Sequence, residues 1–234
     1  MARFSARSAD AERDLRADRI LNAARELLVS WGYRRITIDE VARRAGVGKG
    51  TVYLHFSTKE QLFMTVMTAS HLRMVELFLR DLDEDPAALL LSRMARSVYM
   101  RVQEDPVARA IFTGDTDTLG SLIQVVSTAP GDLAEERERA MNEYFELLRE
   151  RGVLRADSSV QDQRHAFVAI LIGFLTMEPA AKSTAGDMLA QVVRLAFEVS
   201  DDPEWLSTLV PHVRGVLQRM VDRLHDEIRS NMNI

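Results

Sequence analysis

Apolar residues recur along this chain at three- and four-residue steps, and no stretch alternates in the way a half-buried strand does, so the pattern predicts an all-α protein. A first helix is predicted from about Ala17 to Ser30, with Ile20, Ala23, Ala24, Leu27 and Leu28 on one face and Gly32 where a C-cap falls. Thr37 followed by Glu40 is a capping box that starts a second helix at Ile38. Its inward face is Ile38, Val41, Ala42 and Ala45, and Gly46 closes it. The segment Gly48–Phe56 leaves room only for a short third helix before Ser57 and Glu60, read as a second capping box, open a long helix towards Arg80.

The remainder reads as helices opened by Asp-Pro pairs, in which Asp caps and Pro takes the first helical position: Asp85-Pro86, Asp105-Pro106 and Asp202-Pro203. Between them lie a Gly- and Thr-rich stretch from Thr113 to Gly120, a turn at Ala129-Pro130-Gly131, and a helix from Asp132 to Arg151 ended by Gly152. The stretch from Val160 to Met177 is apolar nearly all round, which predicts a helix buried on every side. A last helix is predicted from Pro211 to about Arg229, with Val213, Leu217, Met220, Leu224 and Ile228 forming a seam for another helix. That seam either joins two copies of the chain or docks on the chain's own body.

Charge divides the chain more sharply than hydropathy does. The net charge of −5 hides a first segment, residues 1–65, with 12 basic against 8 acidic residues, which leaves 18 against 27 for the rest. A basic module on an acidic body suits nucleic acid, because phosphate contacts need local positive potential. With no cysteine, disulfide frameworks, thiolate metal sites and cysteine nucleophiles are excluded, which fits a reducing cytoplasm. The longest apolar run, Ala166–Met177, is too short to span a bilayer, and the arginine-bearing N-terminus does not read as a secretory signal. A cytoplasmic protein with no membrane contact is the expectation.

Two short helices joined by a glycine-containing turn are the ingredients of a helix-turn-helix, in which one helix braces and the next enters the major groove. Small Ala42 and Ala45 permit close approach, Val41, Val47, Val52 and Phe56 are read as inward, and Gly48, Lys49, Gly50, Thr51, Tyr53 and His55 as outward. Spacing alone leaves DNA reading and plain packing both open. The residues themselves go further: Ile36-Thr37-Ile38-Asp39-Glu40-Val41-Ala42-Arg43-Arg44-Ala45-Gly46-Val47-Gly48-Lys49-Gly50-Thr51-Val52-Tyr53-Leu54-His55-Phe56, then Thr58-Lys59-Glu60 and Leu62-Phe63, resemble the TetR family of bacterial regulators. The resemblance covers roughly Arg13 to Arg73.

It implies a helix-turn-helix DNA-binding domain over residues 13–73 and a helical effector-binding and dimerisation domain over 74–234. It further implies that Thr37, Tyr53 and Lys59 meet phosphate while Lys49, Gly50, Thr51 and His55 face the groove, with Gly48 also among the DNA-binding residues. Lys can donate to guanine, Thr can offer its methyl to thymine, and Gly lets the backbone come close. Gly48 departs from the Ser common in the family and makes a weaker N-cap.

In the body, Met94, Tyr99, Phe112, Met141, Tyr144 and Phe145 are candidates to line a cavity for a small, largely apolar effector. Phe167, Ile170, Leu171 and Phe174 with Val213, Leu217, Met220 and Leu224 are candidates for a homodimer interface. Gly46-Val47-Gly48-Lys49-Gly50 lacks the spacing and preceding strand of a phosphate loop, and the five histidines show no metal-binding pairing. No nucleophile elbow or paired-carboxylate signature appears, so no enzyme, cofactor or metal is expected. The combined expectation is a dimeric repressor on a palindromic DNA operator, released by a ligand, with a protein-interaction adaptor as the rival reading.

Overall fold

The computed structural model describes residues 2–122, 132–177, 181–199 and 203–232, with the side chains of 2–11, 132–134 and 203–204 left aside. Among them the only strand-like pairing is an isolated antiparallel bridge between Leu154 and Glu198. The helices are α1 (Ala2–Trp31), α2 (Ile38–Ala45), α3 (Lys49–His55), α4 (Lys59–Glu84), α5 (Leu91–Glu104), α6 (Pro106–Thr113), α7 (Thr116–Leu119), α8 (Asp132–Glu150), α9 (Val160–Thr176), α10 (Lys182–Phe197) and α11 (Pro203–Asn231).

Two compact units emerge. The first gathers Met1–Ser70, Gly114–Ala129 and Asp226–Ile234; the second gathers His71–Thr113 and Pro130–His225. In the first, α1 packs on α2, α2 on α3, and the short α7 on α1 and the Tyr33–Arg35 turn. The predicted face of α1, Ile20 through Leu28, is buried as expected. The helix begins at Ala2, well ahead of Ala17, because no Gly or Pro interrupts the preceding run and Ala, Arg and Glu are good helix formers.

Gly32 ends α1 at a φ of 71°, and a Cβ there would lie 2.4 Å from the carbonyl oxygen of Asp117. That glycine therefore serves twice, turning the chain and admitting the backbone of α7. Within the Gly- and Thr-rich stretch Thr113–Gly120, α7 forms because Asp115 accepts hydrogen bonds from the backbone of Asp117 and Thr118.

In the second unit α5 lies against α10, and α9 touches α5, α6, α8 and α10. Gly186 permits the α5–α10 approach, since a Cβ would stand 3.3 Å from Met100 Sδ and 3.4 Å from the Tyr99 ring. A run of edge-on rings, Phe78–Tyr144–Phe145–Phe167–Phe197, threads the core. Glu198 accepts hydrogen bonds from Ser92 N (2.7 Å) and Ser92 Oγ (3.0 Å), so the exit of α10 caps the start of α5.

Asp105-Pro106 opens α6 as predicted, whereas Asp85-Pro86 opens only a 3-10 turn, Pro86–Leu89. Gly152, at φ 69°, closes α8 with Val153 N donating to Leu148 O. Pro211 is a correction: it does not start a helix but lies inside α11, which already begins at Pro203. The turn at 129–131 and Asp202 lie outside the described residues. By length and hydropathy α4 alone among the described helices is apolar enough to cross a bilayer, and 56% of that window is buried in protein.

Candidate nucleic-acid interface

The Thr37 capping box forms as read. Thr37 N donates to Glu40 Oε2 (2.8 Å), Thr37 Oγ1 accepts from Glu40 N (3.3 Å), and the Thr37 hydroxyl also donates to Glu40 Oε2 (2.9 Å). These bonds, the Thr37 backbone N–H foremost, hold the Glu40 carboxyl below its ordinary range. Ile38, Val41, Ala42 and Ala45 are buried, so α2 is fixed by one face. Gly46 turns the chain in the left-handed region at φ 66°, with Val47 N donating to Ala42 O. Nothing lies within 4 Å of a Cβ at Gly46, so glycine is needed there for backbone conformation and not for space.

Gly48 caps α3 with no side-chain bond. Val52 and Phe56 are completely buried, and with them His55, only 3% exposed. The outward placement of His55 is thereby corrected. Counting three and four residues on from Val52 reaches both 55 and 56, a periodicity legible in the sequence and overridden there by the polarity of histidine. Burial, reinforced by Arg13 and Arg16 on α1, pushes the His55 imidazole pKa down, and its Nδ1 has no hydrogen-bond partner among the described residues.

The face left outward is Gly48, Lys49, Gly50 and Tyr53, with Thr51 half-buried at its edge. Leu54, 70% exposed, joins it, although sequence reading passed it over. An apolar side chain so exposed on a helix otherwise sunk into a core is the signal that identifies it. Lys49 Nζ is paired with Asp39 Oδ2 at 2.7 Å.

The start of α4 differs from the reading in one respect. Its capping box is Thr58 with Gln61, through Gln61 N to Thr58 Oγ1 (3.0 Å) and Thr58 N to Gln61 Oε1 (3.2 Å), not Ser57 with Glu60. Glu60 instead accepts from the Tyr33 hydroxyl at 3.0 Å. Lys59 Nζ donates to Tyr33 O (2.7 Å) and lies 4.0 Å from the centre of the Tyr33 ring. Partial burial lowers the Lys59 pKa, and burial with Glu60 beside it raises that of Tyr33. Lys59 is therefore a held cation at a helix start, with two ammonium protons beyond the one given to Tyr33.

Of the cavity candidates, Met94, Tyr99, Tyr144 and Phe145 are buried in one continuous core, with Phe112 and Met141 half-buried against it. The dimer candidates need correction. Phe167, Leu171, Val213, Met220 and Leu224 are all buried within the single chain, and Ile170, Phe174 and Leu217 are packed on its core. The seam of α11 docks on the chain's own body, and α9 is covered on one side only. The large apolar residues left exposed on these two helices are Val168, Ile172 and Met177 from α9 and its end, with Met188, Val192 and Leu195 on α10.

A capped bracing helix, a left-handed glycine turn and a short helix showing cationic, small and aromatic side chains define a helix-turn-helix DNA-binding protein. Residues 20–66 match the model of bacterial regulatory proteins of the tetR family. Over most of the chain the protein is similar to the HTH-type transcriptional regulator AlkX of Mycobacterium tuberculosis, 25% identical over 187 residues, covering 79% of this chain and 86% of that one. It is also similar to the HTH-type transcriptional repressor AcnR of Corynebacterium glutamicum, 23% identical over 184 residues, covering 75% and 87%.

Further curated regulators match at 40–47% identity over 49–64 residues, and the chain spans a quarter to under half of their length. The fold resembles that of the fatty acid degradation regulator FadR from Bacillus halodurans, with a TM-score of 0.60 at 15% identity, covering 76% of this chain and 94% of that one. Residues 20–66 thus carry a DNA-binding region of the tetR type, and the chain is a helix-turn-helix transcriptional regulator.

Proposed function

We propose that this regulator is a homodimeric repressor that places two α3 helices in successive major grooves of a palindromic operator, about 34–36 Å apart. The observation that carries this reading is the outward face Lys49–Gly50–Thr51–Tyr53–Leu54 standing on the fully buried Val52 and Phe56. Lys49 and Thr51 read base edges there, and Leu54 offers an apolar contact of the kind a thymine methyl accepts. Tyr53, Thr37 and Lys59 hold the phosphates and set register without reading sequence. His55 acts from within, as packing that sets the pitch of α3.

The exposed α9–α10 face is where a second copy joins, since an apolar patch contributed by two adjacent helices is the kind of surface a self-complementary interface covers. Occupying the promoter represses, and a small molecule held in the body releases the operator to the extent that it prefers the DNA-incompetent state. Selection of sites from random duplex DNA by the purified protein, followed by titration of the winner against scrambled duplex at two salt concentrations, tests the reading. Enrichment of a palindrome supports it; no enrichment, with residual binding lost in salt, rejects it in favour of a protein-interaction adaptor.

A further inference from the structure

Buried polar atoms in folded proteins are nearly always paired, so a cluster that is not paired marks a place meant for something else. Tyr99 and Gln103 form such a cluster in the second unit. They stand four residues apart on α5, hence one turn apart on one face. Tyr99 is 0% and Gln103 9% exposed, yet the Tyr99 hydroxyl and both Oε1 and Nε2 of Gln103 have no hydrogen-bond partner among the described residues. The other buried tyrosines differ: Tyr33 donates to Glu60 and Tyr144 to the carbonyl of Leu89.

Val102, Val107 and Ala108 are buried along the same pair of helices, α5 and α6. Half-buried Arg109 on α6 is near enough for its charge to act on the Tyr99 phenol, which burial otherwise holds in its neutral form. A few polar groups aimed from apolar walls are how small-molecule sites fix orientation.

We propose that Tyr99 and Gln103 are the polar anchor for the effector of this regulator, and that the effector is an apolar molecule with an uncharged amide or hydroxycarbonyl head. The proposal rests on the ligand-released reading above and gives it a ligand class. The inventory decides the head. Tyr99 offers one donor; Gln103 offers an amide donor and a carbonyl acceptor. One carbonyl oxygen accepting from Tyr99 Oη and Gln103 Nε2, with an adjacent N–H or O–H donating to Gln103 Oε1, satisfies all three atoms. A carboxylate, though attracted by Arg109, has no proton to donate to Gln103 Oε1 and leaves it unpaired, and a cationic head is repelled by Arg109.

Calorimetric titration of the full-length protein with decanamide, and with decylammonium as the cationic control, tests this in the wild type and in Tyr99→Phe and Gln103→Leu. The expected result is binding of decanamide in preference to decylammonium, weakened roughly fivefold or more by either substitution. The melting temperature without ligand should be unchanged or raised in both variants, because each removes an unpaired buried group and keeps its volume. Equal decanamide affinity in wild type and variants overturns the anchor and assigns the polar atoms to bound water. A fall in ligand-free melting temperature makes the pair structural and also overturns it, as does failure of the wild type to bind decanamide.

Operator binding, measured separately, keeps the two readings apart. A protein that binds its operator but fails these tests loses only the anchor, whereas one that binds no operator loses the repressor reading while the calorimetry still reports on the anchor.

Discussion

The ammonium of Lys49 stands 2.7 Å from the carboxylate of Asp39, tying the outward face of α3 to the first turn of α2. Both partners are exposed, so the pair adds little to stability, and its consequence lies in DNA binding. A phosphate or a guanine edge must compete with Asp39 for Lys49. Asp39→Asn is therefore expected to strengthen binding to random duplex and steepen its salt dependence. Lys49→Ala should flatten the slope of log K against log salt by about 0.9 if the ammonium reaches a phosphate. Identical salt slopes in wild type and both variants, measured by fluorescence anisotropy, would show that Lys49 never leaves Asp39.

Gly32 and Gly46, two of the positive-φ glycines of the first unit, predict different costs. At Gly46 only the left-handed conformation resists a side chain, so Gly46→Ala should cost about 1–2 kcal/mol and Gly46→Asn less. At Gly32 the same conformational strain is joined by a Cβ position 2.4 Å from Asp117 O, a backbone atom that cannot swing aside. Gly32→Ala should thus be clearly the more destabilising. Urea midpoints compare the two, and equal losses would remove the α7 contact from the account.

Acid should weaken the fold before the carboxylates titrate. Burial depresses the pKa of His55, and burial with Arg137 nearby takes that of His71 to about 4, both from an ordinary 6.5. Between about 6.5 and the depressed native values the unfolded chain binds more protons than the native one, so stability falls as pH drops through that window. Glu40 and Glu60, whose pKa values are lowered, act in the same direction but only at and below the ordinary carboxylate range. Denaturation midpoints between pH 7.5 and 5 should decline in the wild type and decline less in His71→Phe; parallel curves would refute the assignment.

For the dimer, Leu195→Glu and Leu171→Glu separate surface from core. Leu195 is 67% exposed and Leu171 5%. Light scattering after size exclusion should find Leu195→Glu monomeric with native helical circular dichroism. Leu171→Glu should lose helical structure, since it buries an unpaired charge. A Leu195→Glu protein that remains dimeric would place the interface elsewhere.

Sequence by itself determined what depends on neighbours along the chain. The helical periodicity, the Thr37–Glu40 box, the positive-φ stop at Gly46 and the Asp-Pro opening of α6 are all local, because a cap or a turn is satisfied within four residues. The outward face of α3 was legible in part for the same reason, Val52 and Phe56 fixing which way the helix lies while His55 was misplaced and Leu54 missed. Tertiary structure decided whatever depends on partners distant in sequence. An imidazole is buried at position 55 within reach of the charges of Arg13 and Arg16 on α1, and α7 forms where Gly32 leaves room for its backbone. The seam of α11 is consumed by its own body while α9 and α10 stay open, because a stripe of apolar residues specifies that it will be covered without specifying by what. Tyr99 and Gln103 likewise look like ordinary residues of an amphipathic helix until packing seals them in without partners.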